Sequence, residues 1–212
     1  MIPGIFAGAM GQPGGGGGDV EFRSSDGAAV SGNSISVPVP SGVANGDFLV
    51  FGFMCGNQTL TVTEPSGLTS VLADSSSASV VRLYCRTASS EPASYTWGIS
   101  GTNRLAGFAL SYTGASSVDV VGALNRPSGS AICLSINQPS DGVLIAVSGV
   151  ENSAATSTPT PPSGMELRQY SGAAFGHISA SDLIPSGTGA SGDKAYTWPS
   201  YSSPFGVLLH IK

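Results

Sequence analysis

Apolar and polar positions along this chain either alternate or gather in short runs, and Gly, Pro, Asp or Ser closes nearly every run. Ile35-Ser36-Val37 and Ile132-Cys133-Leu134-Ser135-Ile136 keep a period of two, which puts every second side chain on one face of a strand. Phe48–Met54 and Val143–Val147 are continuous apolar runs of the kind a strand needs when both its faces are covered, and each follows a turn signal, Gly46-Asp47 or Asp141-Gly142. Val80–Cys85, Phe175–Ser179, Val118–Val121 and Val207–Ile211 read as further strands. In Glu64-Pro65-Ser66-Gly67 and Pro161-Pro162-Ser163-Gly164 the proline presets φ and the glycine supplies the positive φ of a tight turn. No 3.6-residue period emerges, and 14 Pro and 30 Gly leave no uninterrupted window for a helix of ordinary length.

The predicted strands occur twice in the same order. Both tryptophans lie in one tripeptide, Tyr95-Thr96-Trp97 and Tyr196-Thr197-Trp198, and their surroundings superimpose. Pro65–Leu68 matches Pro162–Met165, Phe48–Phe51 matches Val143–Ala146, and Gly107–Leu110 matches Gly206–Leu209. Residues 33–112 and 130–212 therefore read as two pseudo-repeats of about six strands each. Neither would bury much core alone, so the expected fold is all-β: one β-sandwich of jelly-roll type over residues 19–212, with two tandem small sandwiches as the alternative. Within Tyr-Thr-Trp, alternation turns Tyr and Trp to one face. That face suits a core anchor, and an aromatic platform for stacking sugars is the other reading.

Ahead of the sandwich stands an extended N-terminal arm. Residues 1–10 are apolar and uncharged, and Gln12-Pro13 followed by Gly14–Gly18 forms a tether that cannot fold by itself. An apolar segment beyond a flexible linker frays unless something holds it. Ile2, Pro3, Ile5, Phe6 and Met10 are accordingly the candidate partner-binding residues, the alternative being that the arm folds back onto its own domain. The arm lacks the cationic start of a secretory signal.

Composition narrows the function. Only 10% of the residues are charged, against about 25% in an ordinary soluble domain. The 41% apolar content is enough for a real core. Eight Lys plus Arg against 13 Asp plus Glu give a net charge of −5 with no basic cluster, which argues against nucleic acid as a partner. No apolar span approaches the ~20 residues of a membrane helix, so no membrane partner is expected. Cys55, Cys85 and Cys133 show no C-x-x-C spacing and read as three buried thiols, or as one disulfide with a thiol left over.

Catalytic chemistry finds little to work with. His177 and His210 are the only histidines, no zinc-binding spacing occurs, and no G-x-S-x-G supports a nucleophile elbow. The glycine run has no Gly-Lys-Ser/Thr and no helix after it, so it does not read as a phosphate loop. Asp47, Glu64, Glu91, Asp119, Asp141 and Glu166 sit mostly in turns, where a carboxylate is solvated or caps a local amide; a glycosidase pair could still be drawn from among them. No enzyme, cofactor or metal is expected.

The series Pro40-Ser41-Gly42-Val43-Ala44-Asn45-Gly46-Asp47-Phe48-Leu49, Pro65–Leu68, Arg82-Leu83-Tyr84-Cys85-Arg86, Ser89 to Trp97 and Gly107–Tyr112 resembles a β-sandwich module of phage and prophage structural proteins, over roughly residues 33–212. Met1-Ile2-Pro3-Gly4-Ile5 is similar to the start of small proteins encoded among phage tail and fibre genes. The resemblance implies a structural protein of a tailed-bacteriophage virion, a tail fibre or minor tail protein, with a capsid decoration protein or head fibre as the alternative. It implies assembly in the bacterial host cytoplasm, other virion proteins as partners through residues 1–18, and a homo-oligomer such as a trimer. A host-glycan-binding module is a further reading, for which aromatics in the loops near Asn57, Asn103 or Tyr201 would speak. The family supplies no catalytic or ligand residues to carry over.

Overall fold

A computed structural model describes residues 19–56, 59–76, 79–139, 141–151, 158–173, 176–200 and 202–212. The candidate partner-binding residues Ile2, Pro3, Ile5, Phe6 and Met10 lie outside the described residues, as do Asn57, Phe175 and Tyr201.

Every regular element among the described residues is a strand. The first half of the chain supplies β1 (Glu21–Pro38), β2 (Phe48–Cys55), β3 (Val62–Thr63), β4 (Thr69–Ser76), β5 (Ser79–Thr87) and β6 (Ser94–Thr113). They form one antiparallel sheet in the order β1-β6-β2-β5-β4, with β3 paired to β6. The second half supplies β7 (Val118–Val121), β8 (Ala131–Cys133), β9 (Asn137–Gln138), β10 (Val143–Glu151), β11 (Glu166–Ala173), β12 (Gly176–Leu183), β13 (Gly189–Ala190), β14 (Lys194–Tyr196) and β15 (Ser202–Ile211). Five of these make the second sheet, β11-β12-β10-β15-β7, while β8 pairs with β14 and β9 with β13 as separate ribbons.

The two sheets stack face to face. Alternation decides which residues meet: Phe48, Val50 and Met54 of β2 and Val143, Ile145 and Val147 of β10 point into one shared core, joined by Phe108 and Leu110 from β6 and Val207 and Leu209 from β15. The opposite faces of the same strands are buried too. Leu49, Phe51 and Phe53 lie under a cover carrying Ile35, Val37, Tyr95 and Trp97, and Leu144 and Ala146 lie under one carrying Ala131, Cys133, Tyr196 and Trp198. Burial on both faces is why β2 and β10 are continuous apolar runs rather than alternating ones.

Each cover comes from its own half of the chain. In the first half, β1 and β6 are long enough to serve twice: Ser25–Gly32 pairs with Asn103–Leu110 in the sheet, and beyond a register shift at Gly32/Ser34 the segment Ser34–Pro38 pairs with Ser94–Gly98 over the sheet's outer face. In the second half the cover is the detached ribbon β8/β14, in which Tyr196 pairs with Ala131. Both covers cross close above a glycine. A Cβ on Gly107 would stand 2.5 Å from Val37, and one on Gly206 2.7 Å from the backbone of Ile132, so neither position admits a side chain. The turns before β2 and β10 place Gly46 and Gly142 at φ 95° and 93°, and the Pro-Ser-Gly turns place Gly67 and Gly164 at 82° and 78°.

The connectivity differs from the jelly roll expected from sequence. A jelly roll arises from Greek-key connections that distribute its strands over both sheets, whereas here the strands up to Thr113 build one sheet and those from Val118 on build the other. Within these sheets only β4/β5 and β11/β12 join consecutive strands; the other pairs, such as β1/β6 and β15/β7, join strands well apart in the chain but within one half.

Candidate functional site

The residues singled out from sequence are scattered over the fold. Trp97 is fully buried and stacks on Phe53 at 5.9 Å between ring centroids, and Trp198 is buried and donates from Nε1 to Ser148 Oγ at 3.0 Å. Tyr95 and Tyr196 are buried beside them, with Thr96 and Thr197 facing outward. A sugar-stacking platform built on these four rings is therefore ruled out by burial, and they are the pins that hold the two covers down.

The turn carboxylates hold local structure. Asp47 is buried, accepts from the Ala44 amide at 2.8 Å and pairs with Arg23 at 2.7 Å. Glu64 pairs with Arg82 at 3.4 Å, and Asp119 with Lys212 at 2.6 Å. Glu91 pairs with Arg86 at 3.0 Å and accepts from Tyr95 Oη at 2.7 Å; burial first, and then this carboxylate, push the Tyr95 phenol up to about 12. Asp141 is exposed in the turn before β10.

The histidines sit apart, His177 beside Tyr170 at 2.9 Å and His210 fully buried with Nδ1 3.8 Å from Asp119. Burial lowers the pKa of His210 and so favours the neutral imidazole. Among the described residues no group of three or more His, Cys, Asp or Glu is arranged to hold a metal ion. All three cysteines are buried and outside any disulfide, and burial pushes the Cys133 thiol up to about 12, far from a reactive thiolate.

One place does bring candidates together. At the end of the sandwich where the chain enters β1, a cleft of about 280 Å³ opens between the sheets. Its base is polar and belongs to both halves. Asp182 lies on the inward face of β12, where it accepts from Tyr112 Oη of the opposite sheet at 2.8 Å and from Arg168 Nε at 2.8 Å. Burial raises the pKa of Asp182, while the Tyr112 and Arg168 hydrogen bonds oppose that rise. Arg168 also pairs with Glu166 at 2.7 Å and lies over the Phe22 ring at 4.3 Å. The walls are apolar: Val20, Phe22, Val143, Leu183 and Ile184. The last of these is 70% exposed, the most exposed of the large hydrophobic residues described.

No family model, curated protein or solved structure matches this chain. The functional reading therefore rests on the chain's own residues.

Of the charged cleft residues, only Glu166 is among the turn carboxylates singled out in the sequence. Asp182 carries no signal beyond a charge in a strand of mostly small residues, Arg168 none beyond a charge in a mixed polar strand, and Tyr112 is simply the end of the Gly107–Tyr112 segment. Their meeting depends on the stacking of two sheets, which no local pattern encodes.

Proposed function

We propose that this chain is a structural protein of a tailed-bacteriophage virion, an appendage such as a tail fibre or minor tail protein, anchored through residues 1–18 and displaying its sandwich outward. The observation that carries the reading is a division of labour along the chain. From residue 19 on, the charged side chains at the carboxylate sites are mostly paired with one another and the aromatic pairs are spent on holding covers to sheets. Residues 1–10 are apolar with no charged side chain, and a glycine-rich stretch separates them from residue 19 in the sequence. A virion component needs a stiff body and an adhesive end, and this sequence divides in that way. Buried thiols outside any disulfide accord with assembly in the reducing cytoplasm of a bacterial host. A closed homo-oligomer, such as a trimer, is the expected state.

The body itself we infer to be two pseudo-repeats. The order β4-β5-β2-β6 of the first sheet parallels β11-β12-β10-β15 of the second, which supports the correspondence read from the sequence. The matching positive φ values at Gly46 and Gly142, and at Gly67 and Gly164, support it further.

Deleting residues 1–18 and measuring how much protein enters purified particles tests the anchor. Incorporation is expected to fall to background, and undiminished incorporation overturns the reading. Density for the chain at the capsid surface rather than on the tail would favour a decoration protein or head fibre.

A further inference from the structure

We propose that the cleft at the entry to β1 is a docking site for this chain's own apolar arm, held in cis, with Ile5 and Phe6 seated against Ile184. The docking needs only this chain; its meaning, a cover that keeps the anchor out of solvent until a particle offers a better site, rests on the reading of residues 1–18 as the virion anchor.

Position comes first. Val20, which lines the cleft, follows the last glycine of the tether by two residues. The tether Gln12–Gly18 reaches at most ~3.3–3.6 Å per residue, and a glycine-rich chain doubles back readily, with a mean end-to-end distance of ~5–6 Å times the square root of its length. The arm is thereby confined to the neighbourhood of the cleft at an effective concentration on the order of mM. A second copy at ordinary protein concentrations cannot match that.

Chemistry agrees with position. The ionic groups of the cleft are already committed: Arg168 to Asp182 and Glu166, and Asp182 to Tyr112. The cleft presents no free charge at its base, and what its rim offers is apolar surface, chiefly Ile184 at 70% exposure. Residues 1–10 carry no charged side chain. At about 280 Å³ the cleft falls just below the usual range of small-molecule pockets, a size that suits one or two side chains better than a whole ligand.

The test compares side-chain methyl NMR spectra of the full chain with those of a full-length Ile5→Asp/Phe6→Asp variant, at low and high protein concentration. The methyl signals of Ile184, Leu183 and Val143 are expected to differ between the two proteins, by the same amount at both concentrations. Ile184→Asp, at an exposed position that the fold does not need, should return Leu183 and Val143 to their positions in the arm variant and leave distant signals in place. Identical spectra for the wild-type and arm-variant proteins overturn the proposal. So do differences that grow with concentration, which would make a second copy the occupant. Particle incorporation separates this inference from the anchor reading: Ile184→Asp should still be incorporated, and only loss of the arm itself should prevent it. Unchanged methyl spectra together with arm-dependent incorporation would defeat the docking and leave the anchor standing; the reverse pair of results would do the opposite.

Discussion

The two covers occupy equivalent places in their halves and are held down by different means. Beneath Trp97 the sheet offers Phe51, Phe53 and Tyr84, all within 6.2 Å of the indole between ring centroids. Beneath Trp198 and Tyr196 it offers small polar groups beside the Tyr170 and His177 rings, which stand 6.2 and 6.3 Å from the indole: Ser148 accepts from the indole, and Tyr196 Oη donates to Ser181 Oγ or the Ala146 carbonyl, both at 2.8 Å. Of the ten buried polar or charged residues described, Ser148, Ser171, His177, Ser179, Ser181, Asp182 and His210 fall in the second half, against Asp47, Ser79 and Ser111 in the first. The first cover is therefore fastened chiefly by dispersion and apolar burial, while the second adds buried hydrogen bonds to its packing. Packing tolerates a changed neighbour of similar volume, whereas a buried hydrogen bond that loses one partner leaves the other desolvated and unpaired.

Trp97→Ala should produce the largest effect, because the aromatic nest around it would be left with a cavity: about 3–5 kcal/mol lost in denaturant unfolding. A loss below ~1 kcal/mol would mean that the first cover is not held by its indole. Asp182→Ala should come next, at about 2–3 kcal/mol, since Tyr112 and Arg168 both lose a charged acceptor between the sheets. The matched pair Tyr196→Phe and Tyr95→Phe examines the contrast directly. At position 196 the lost hydroxyl leaves buried acceptors unmet and should cost ~1–3 kcal/mol. At 95 the cost should stay under ~1 kcal/mol, because Glu91 and Arg86 still hold each other near the surface. Equal costs at the two sites would erase the distinction between the covers.

A pH-dependent effect concerns Glu151, at the end of β10 away from Asp182. Its Oε1 is buried and finds no hydrogen-bond donor among the described residues, standing 2.7 Å from where a Cβ on Gly56 would be. Burial, against the pull of Arg104 and Arg126, pushes its pKa up to about 7. An unfolded Glu titrates near ~4.3, so across the interval from ~4.3 to about 7 the folded chain holds more proton than the unfolded one. Stability should fall as pH rises through that window and recover as pH is lowered. For a partly exposed group the fall should be on the order of 1 kcal/mol after solvent screening, and Glu151→Gln should flatten it. A decline that persists in Glu151→Gln would assign the titration to another group.

Much of the fold was legible from local pattern. The turn glycines 46, 67, 142 and 164 announced themselves because only such residues adopt positive φ without strain, and the apolar runs at Phe48 and Val143 marked strands covered on both sides. The alternation in Tyr-Thr-Trp indicated which residues share a face. It could not say what that face meets, and the small polar residues Ser148, Ser179 and Ser181 gave no sign that they would receive the second pair of aromatics.

What the sequence determined by itself was strand content and turn positions, since each of these is set by steric and hydrophobic preferences acting over a few residues. What only the tertiary structure decided was the sorting of each half into its own sheet, the folding of β1 and β6 back over their sheet, and the meeting of Tyr112, Arg168 and Asp182 beneath an apolar rim. Those features join residues tens of positions apart. Their free energy comes from surfaces that exist only after the sheets have formed, and no stretch of chain carries a record of its partner.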